Sequence, residues 1–204
     1  MINKSSFKEF ITYSEAREWG DKNYGALVGI LATGKTHNSL TGLLDIYSAG
    51  KSIVYNRFLR GAKIFEEFEK REIEEISKEI QILEEGIREY ELAESIIVYR
   101  YTRKEPFKSL LFKCTSVKGK TFTEKGFMST TLVKNQINEY VEKHHYNCIL
   151  KLHLPKGTKG VHFKCNNSVL DELEFLLPPN SKFVVTKKSL NYKLWPVYHC
   201  YLIN

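Results

Sequence analysis

An α+β fold is the class this 204-residue sequence predicts, and three observations carry it. Helix-like patterning fills roughly the first 95 residues, strand-like patterning fills the rest, and the two kinds do not alternate. A doubly wound parallel sheet would interleave them, so helices followed by strands indicate helices packed on a mixed, mainly antiparallel sheet. The length suits one domain spanning 1–204, with a helical part over about 1–95 and a strand-rich part over about 96–204.

The helical readings come first in the chain. SFKEFITYSEAREWGDKNYGAL and SIVYNRFLRGAK read as helices, separated by the Gly, Thr and Ser punctuation of residues 29–42. The acidic stretch from Ala62 to Ser95 has apolar residues at 65, 68, 73, 76, 80, 83 and 87. That spacing predicts an amphipathic helix or a broken pair of helices, with Gly86 as the weak point. Beyond it SIIVYRY, GFMSTTL, YNCILKLHL, GVHF, LEFLLP, SKFVVTKK and PVYHCYLI are short, rich in β-branched and aromatic residues, and bounded by Gly, Pro or Asn. Each reads as a strand.

Composition excludes several classes. A hydrophobic content of 42% and 24 Phe and Tyr residues promise a substantial core, so the chain is not a disordered tail. No apolar run has the length of a membrane span, and MINKSSFKEF lacks the apolar stretch of a secretion signal. The expectation is a soluble protein with no membrane insertion, cytoplasmic as encoded. Cys114, Cys148, Cys165 and Cys200 are widely spaced without a C-x-x-C pair, which points to reduced thiols rather than a zinc knuckle or redox motif. The net charge of +7 is uneven: Ala62 to Ser95 holds 12 Glu against 5 Lys or Arg, leaving 26 basic against 12 acidic residues, or +14, elsewhere. A surface of that sign attracts dinucleotide phosphates, nucleic acid or an acidic protein face.

One motif invites a different reading. GILATGKT, residues 29–36, matches the phosphate-loop pattern through Gly29, Gly34, Lys35 and Thr36. Such a loop needs a buried strand before it, a helix N-terminus facing the phosphates, and an acidic residue ending a second buried strand. Here the preceding strand is only ALV, and Asp45 follows too closely to end a separate parallel strand. The stretch therefore reads as a loop between helices, and a triphosphatase is not expected.

Three stretches of the strand half are more informative together than singly. SIIVYRY places Arg100 near a strand end, GFMSTTL places Ser129, Thr130 and Thr131 on a second strand, and LDELEFLLPPNSKF places Glu172 and Glu174 at the start of a third. Taken alone, each reads as an ordinary exposed polar feature. In this order and with these flanks they resemble the Arg, Ser-Thr-Ser and Glu-x-Glu signature of the ADP-ribosyltransferase exotoxins, in particular binary-toxin enzymatic components and vegetative insecticidal proteins. YSAGKSIVYNRFLRG, with Tyr47, Asn56, Leu59 and Arg60, is similar to that family's helix, and ILKLHLPKGTKGVHF to its strand, P-K-G turn and next strand. The likeness covers most of residues 47–185. It departs at Thr131, where the signature has Ser, and at Lys151, where relatives carry Arg.

The resemblance implies a two-sheet β core of the ADP-ribosyltransferase type and transfer of ADP-ribose from NAD, a co-substrate, with no metal. It implies that Arg100, Tyr47, Asn56, Arg60, Ser129, Phe127 and Glu174 bind NAD, and that Glu174, Glu172, Ser129 and Arg100 carry catalysis. The residue types suit the task. Breaking the nicotinamide–ribose bond builds an oxocarbenium-like charge that a carboxylate, Glu174, stabilises. Ser129 is short enough to donate to that carboxylate and hold its rotamer. Arg100 offers a planar fork for a pyrophosphate. If 172–174 is extended, both carboxylates face one side. Within the family, Glu at the first position goes with arginine as acceptor.

The expected function is therefore mono-ADP-ribosylation of a protein arginine, by a toxin or effector. The alternative keeps the NAD chemistry and changes the acceptor to an RNA or DNA base, on the strength of the basic excess and of aromatics beside basic residues at Tyr192, Lys193 and Trp195. A binding module without catalysis is disfavoured by the intact Arg100, Ser129 and Glu174. Further partners are an inhibitor or antitoxin in the producing cell, or a delivery protein if the chain is a secreted effector. His144 and His145 read as solvated loop histidines rather than acid–base groups.

Overall fold

The computed structural model describes residues 7–30, 38–103, 117–134, 145–165, 172–191 and 193–203. Its N-terminal half contains α1 (Tyr13–Tyr24), α2 (Leu40–Ile46), α3 (Ser52–Leu59) and α4 (Lys70–Arg88). α1 starts later than the periodicity suggests, because Thr12 caps it by accepting from the Glu15 N–H at 3.2 Å. Residues upstream of this cap run along the sheet instead, with Lys8 bridged to Ile96 and Phe10 to Val133.

The acidic segment forms a short 3-10 helix, Lys63–Glu67, and then α4, so its break falls at Phe68 and not at Gly86. α4 opens with a reciprocal capping box between Glu69 and Glu72 and buries Ile76, Ile80, Leu83 and Ile87 on its apolar stripe. It passes through Gly86 without interruption. The glycine is there for proximity: a Cβ at that position would lie 3.0 Å from Leu40 Cδ1, at the start of α2.

The strands follow as β1 (Val28–Ile30), β2 (Ile96–Thr102), β3 (Thr121–Glu124), β4 (Met128–Thr131), β5 (Cys148–Leu154), β6 (Val161–His162), β7 (Lys164–Cys165), β8 (Glu174–Leu177), β9 (Ser181–Leu190) and β10 (Pro196–Ile203). Eight of them form a sheet in the order β3-β9-β10-β5-β2-β4-β8-β6, and β1 pairs with β7 in a two-stranded sheet. Among the described residues of the larger sheet, β10 and β5 are the pair that runs parallel and the other pairings are antiparallel. The mixed, mainly antiparallel α+β class is thus as the order of patterns predicts. The expected strands are present; the short β1, β3 and β7 were not read from sequence.

Period-two alternation gives the sheet two different faces. Ile96, Val98, Leu150, Leu152 and Leu154 lie in the main core with the buried residues of α4. Ile97, Tyr99, Tyr101, Ile149 and Val197 form a second apolar cluster, against which Phe7, Tyr146 and Trp195 pack. β2 therefore points Val98 and Arg100 to one side and Tyr99 to the other.

The phosphate-loop pattern gains no phosphate-loop context. Its first glycine, Gly29, is the middle residue of β1, whose partner β7 belongs to a separate two-stranded sheet, and residues 31–37 lie outside the described residues. α2 begins only at Leu40, capped by Ser39, which accepts from the Gly42 N–H at 3.2 Å.

Candidate active site

Three neighbouring strands deliver the signature residues. β4 lies between β2 and β8, with Tyr99 opposite Thr131 and Thr131 opposite Glu174. Arg100, Ser129 and Glu174 are thereby brought together from positions far apart in sequence. The Arg100 guanidinium donates from Nη1 to the Ser129 carbonyl at 2.7 Å, and the Ser129 hydroxyl hydrogen-bonds the Glu174 carboxylate. Arg100 is partly buried, not the solvated strand-end charge that the residue alone would suggest.

The helical half completes the cluster. Between α2 and α3 the backbone makes a π turn, Tyr47–Lys51, with Gly50 at φ 123, a conformation that glycine adopts without a Cβ clash. This kink carries Tyr47, 1% exposed, against the sheet. Its hydroxyl lies 3.2 Å from Ser129 Oγ and accepts from Asn56 Nδ2 at 3.3 Å. Asn56, Tyr47, Ser129 and Glu174 are thus hydrogen-bonded in series, with Asn56 donating at one end. Phe127, fully buried, meets the Tyr47 ring edge-on at 5.7 Å.

The electrostatics follow from burial. Desolvation pushes the Glu174 carboxyl up to about 7, with the Ser129 hydrogen bond pulling down, the Glu172 charge pushing up and the Arg100 charge pulling down. Glu172 is also raised, by burial. Burial and the neighbouring Glu174 charge push Tyr47 up to about 12, so its hydroxyl remains protonated and able to donate.

Glu172 and Glu174 share this field, but not through a regular strand. Leu173 has φ 46, so residues 172–174 are not the extended run that the same-side argument requires. The backbone there is clamped instead: Thr131 Oγ1 donates to the Glu172 carbonyl at 2.8 Å, and the Leu132 N–H donates to the Leu173 carbonyl at 3.1 Å. A serine could supply the same hydroxyl, which accounts for Thr131 as a mild departure.

Two further sequence features resolve differently. Arg60 donates from Nε to Glu124 Oε1 at 2.9 Å, and the same oxygen accepts from the Gly126 N–H at 2.9 Å. This ties the end of α3 to the turn that leads into Phe127 and Ser129. Glu124 and Gly126 were missed from sequence, although the EKG turn between two β-rich stretches was the available signal. A Cβ on Gly126 would stand 2.4 Å from Asn56 Oδ1, so the turn packs directly on α3. Lys151 lies on the opposite sheet face from Arg100, where it donates to Glu9 Oε2 at 2.7 Å and Tyr99 donates to the other Glu9 oxygen. It is outside this cluster. His145 is exposed, and His144 lies outside the described residues.

A family model for the ADP-ribosyltransferase exoenzyme matches residues 16–194. The chain belongs to the ADP-ribosyltransferase exoenzyme family. It is 29% identical over 142 residues to an NAD(+)–arginine ADP-ribosyltransferase, EFV, of Enterococcus faecalis, covering 68% of this chain and 27% of that protein. The chain spans about a quarter of the length of the curated relatives it matches. Among solved structures, the exoenzyme fold is shared with C3stau2 from S. aureus, crystallised with NAD, at TM-score 0.74 and 20% identity, covering 98% of this chain and 100% of that one. It is also shared with BECa, an ADP-ribosylating toxin of a binary enterotoxin of C. perfringens, at TM-score 0.75 and 22% identity, covering 97% and 50%.

Proposed function

We propose that this exoenzyme-family chain is an NAD-dependent mono-ADP-ribosyltransferase that transfers ADP-ribose to arginine of a target protein. The observation that carries the reading is the convergence of Arg100, Ser129 and Glu174 on adjacent strands, with Ser129 bonded to both of the others. In this reading Arg100 and Arg60 face the diphosphate, Asn56 lies at the nicotinamide end with the buried Tyr47 and Phe127 packed behind it, and Glu174 meets the ribose.

Glu174 acts in its ionised form. As the glycosidic bond breaks, positive charge develops on the ribose, and unit charges 4 Å apart attract by about 4 kcal/mol at an effective dielectric of 20. Felt mainly at the transition state, that is worth roughly a thousandfold in rate. The hydroxyl relay from Asn56 to Ser129 fixes the carboxylate before substrate arrives, so little reorganisation remains for the reaction itself. Glu172 orients the acceptor guanidinium, which stays protonated in water and needs a carboxylate partner to take its proton as attack proceeds. The arginine specificity in the name of EFV agrees with Glu, rather than Gln, at this position.

A nucleic-acid base as acceptor is supported by charge alone. Trp195 packs on the second apolar cluster with Lys193 over its ring at 5.5 Å, so it is not an open stacking platform, and Tyr192 lies outside the described residues. Labelled NAD supplied with protein lysate, RNA or DNA separates the two. Label that survives nuclease and is lost to protease supports protein; the reverse assigns nucleic acid; no label and no nicotinamide release would remove the enzymatic reading. An antitoxin or a delivery protein remains part of the proposal for how such a chain is used. Among the described residues no helix is long and apolar enough to cross a membrane.

A further inference from the structure

The carboxylate of Glu79 is buried in the helical layer, away from the site described above. It is 3% exposed, on the face of α4 that otherwise presents Ile76, Ile80 and Leu83 to the core. Burying a carboxylate among apolar neighbours is costly unless donors meet it, and an apolar residue of similar size usually serves stability as well or better. Its presence therefore asks for a role besides filling the core.

Two of its partners follow directly on the helix break at Gly50, one turn apart. Lys51 Nζ, on the last residue of the π turn, donates to Glu79 Oε2 at 3.2 Å, and the Tyr55 hydroxyl, one turn into α3, donates to the same oxygen at 2.9 Å. Lys51 Nζ also stands over the Tyr55 ring, 5.9 Å from its centroid. The Tyr55 ring lies against Tyr47, at 6.3 Å and 34°. Tyr47 is the first residue of the same turn, and its hydroxyl reaches Ser129. A single buried oxygen thus fastens the start of α3 just after the kink, and through the Tyr55 ring it backs Tyr47 on the other side.

We infer that Glu79 is a positioning residue for NAD: by gripping Lys51 and Tyr55 it holds the kinked α2–α3 junction in the geometry that delivers Tyr47 and Asn56 to Ser129. It acts from the far side of the helix layer and touches none of the reacting atoms. The inference rests on the proposed NAD reading of the site.

The test separates positioning from plain stability. The triple replacement Lys51→Met, Tyr55→Phe and Glu79→Leu removes the polar trio and keeps its bulk. If the trio only stabilises, the apolar version melts near the wild type and hydrolyses NAD with unchanged KM, which would overturn the inference. If it positions, the triple variant folds yet its KM for NAD rises about fivefold or more. Should the triple variant fail to fold, Glu79→Gln decides. It is expected to speed amide hydrogen exchange across 47–56 about tenfold with α1 unchanged, and to raise KM; unaltered exchange in a folded Glu79→Gln protein refutes the role. Exchange is read without NAD, so a wild type that never cleaves NAD defeats the functional reading while leaving the positioning of the junction separately decided.

Discussion

The Tyr47 hydroxyl stands 3.2 Å from Ser129 Oγ, and that pair joins the helical half of the chain to its sheet at the point where the signature residues meet. Tyr47 arrives on a π turn and Ser129 on a central strand. With Asn56 donating into Tyr47, and Ser129 bonded to both Tyr47 and Glu174, four side chains form one series ending on a half-buried carboxylate. Such a chain polarises along its length, so weakening any member reaches the carboxylate.

The pH dependence should report that carboxylate. With Glu174 raised to about 7, its ionised form is lost as pH falls through that value. The kcat/KM for NAD hydrolysis, which reflects the free enzyme, is expected to drop tenfold per pH unit below about 7. Ser129→Ala removes a hydrogen bond that lowers the Glu174 pKa, so its acid limb should move up. Glu172→Gln removes a like charge, so its limb should move down. A flat profile from pH 5 to pH 8 would contradict the assignment.

The same shift makes a stability prediction. A carboxyl whose folded-state value is raised above the ordinary 4.5 favours folding below that ordinary value and loses the advantage as pH climbs through about 7. Glu174→Gln should therefore stabilise the fold at about pH 8 by on the order of 1 kcal/mol, read as a higher melting temperature, and change it little at about pH 5. Thermal melts at the two pH values check this. Equal melting of the two proteins at pH 8 would mean the carboxylate is not desolvated.

The two glutamates should divide the work. Glu174→Gln is expected to abolish NAD hydrolysis and transfer together, by about a thousandfold. Glu172→Gln should cut transfer to an arginine acceptor far more than hydrolysis. Parallel assays of nicotinamide release and acceptor labelling measure both, and equal loss in the Glu172 variant would end the division.

Gly126→Ala tests the packing of the β3–β4 turn on α3. A Cβ there would meet Asn56 Oδ1 at 2.4 Å, so Asn56 must move and its donation to Tyr47 is lost. We expect KM for NAD to rise about tenfold, with a destabilisation of about 1–2 kcal/mol. Denaturant melts and steady-state hydrolysis distinguish this from global unfolding.

The amino-acid sequence by itself determined the local and periodic features. The Ile76, Ile80, Leu83 and Ile87 spacing fixes the buried stripe of α4, and alternation in IIVYRYT fixes which side of β2 Arg100 takes. The signature triad was legible because its residue types and order survive as short local words. Tertiary structure decided what depends on contacts between distant segments. Gly86 reads as a helix breaker until Leu40 lies against it, and Glu172-Leu173-Glu174 reads as extended until Leu173 takes φ 46 under the clamp of Thr131 and Leu132. Lys151, a departure from the Arg of relatives, is placed by strand pairing beside Glu9 on the other face. Glu79 carries no local signal, since a carboxylate on a helix is ordinarily solvated until Lys51 and Tyr55 approach it, and the EKG turn marks Glu124 without revealing that Arg60 pairs with it.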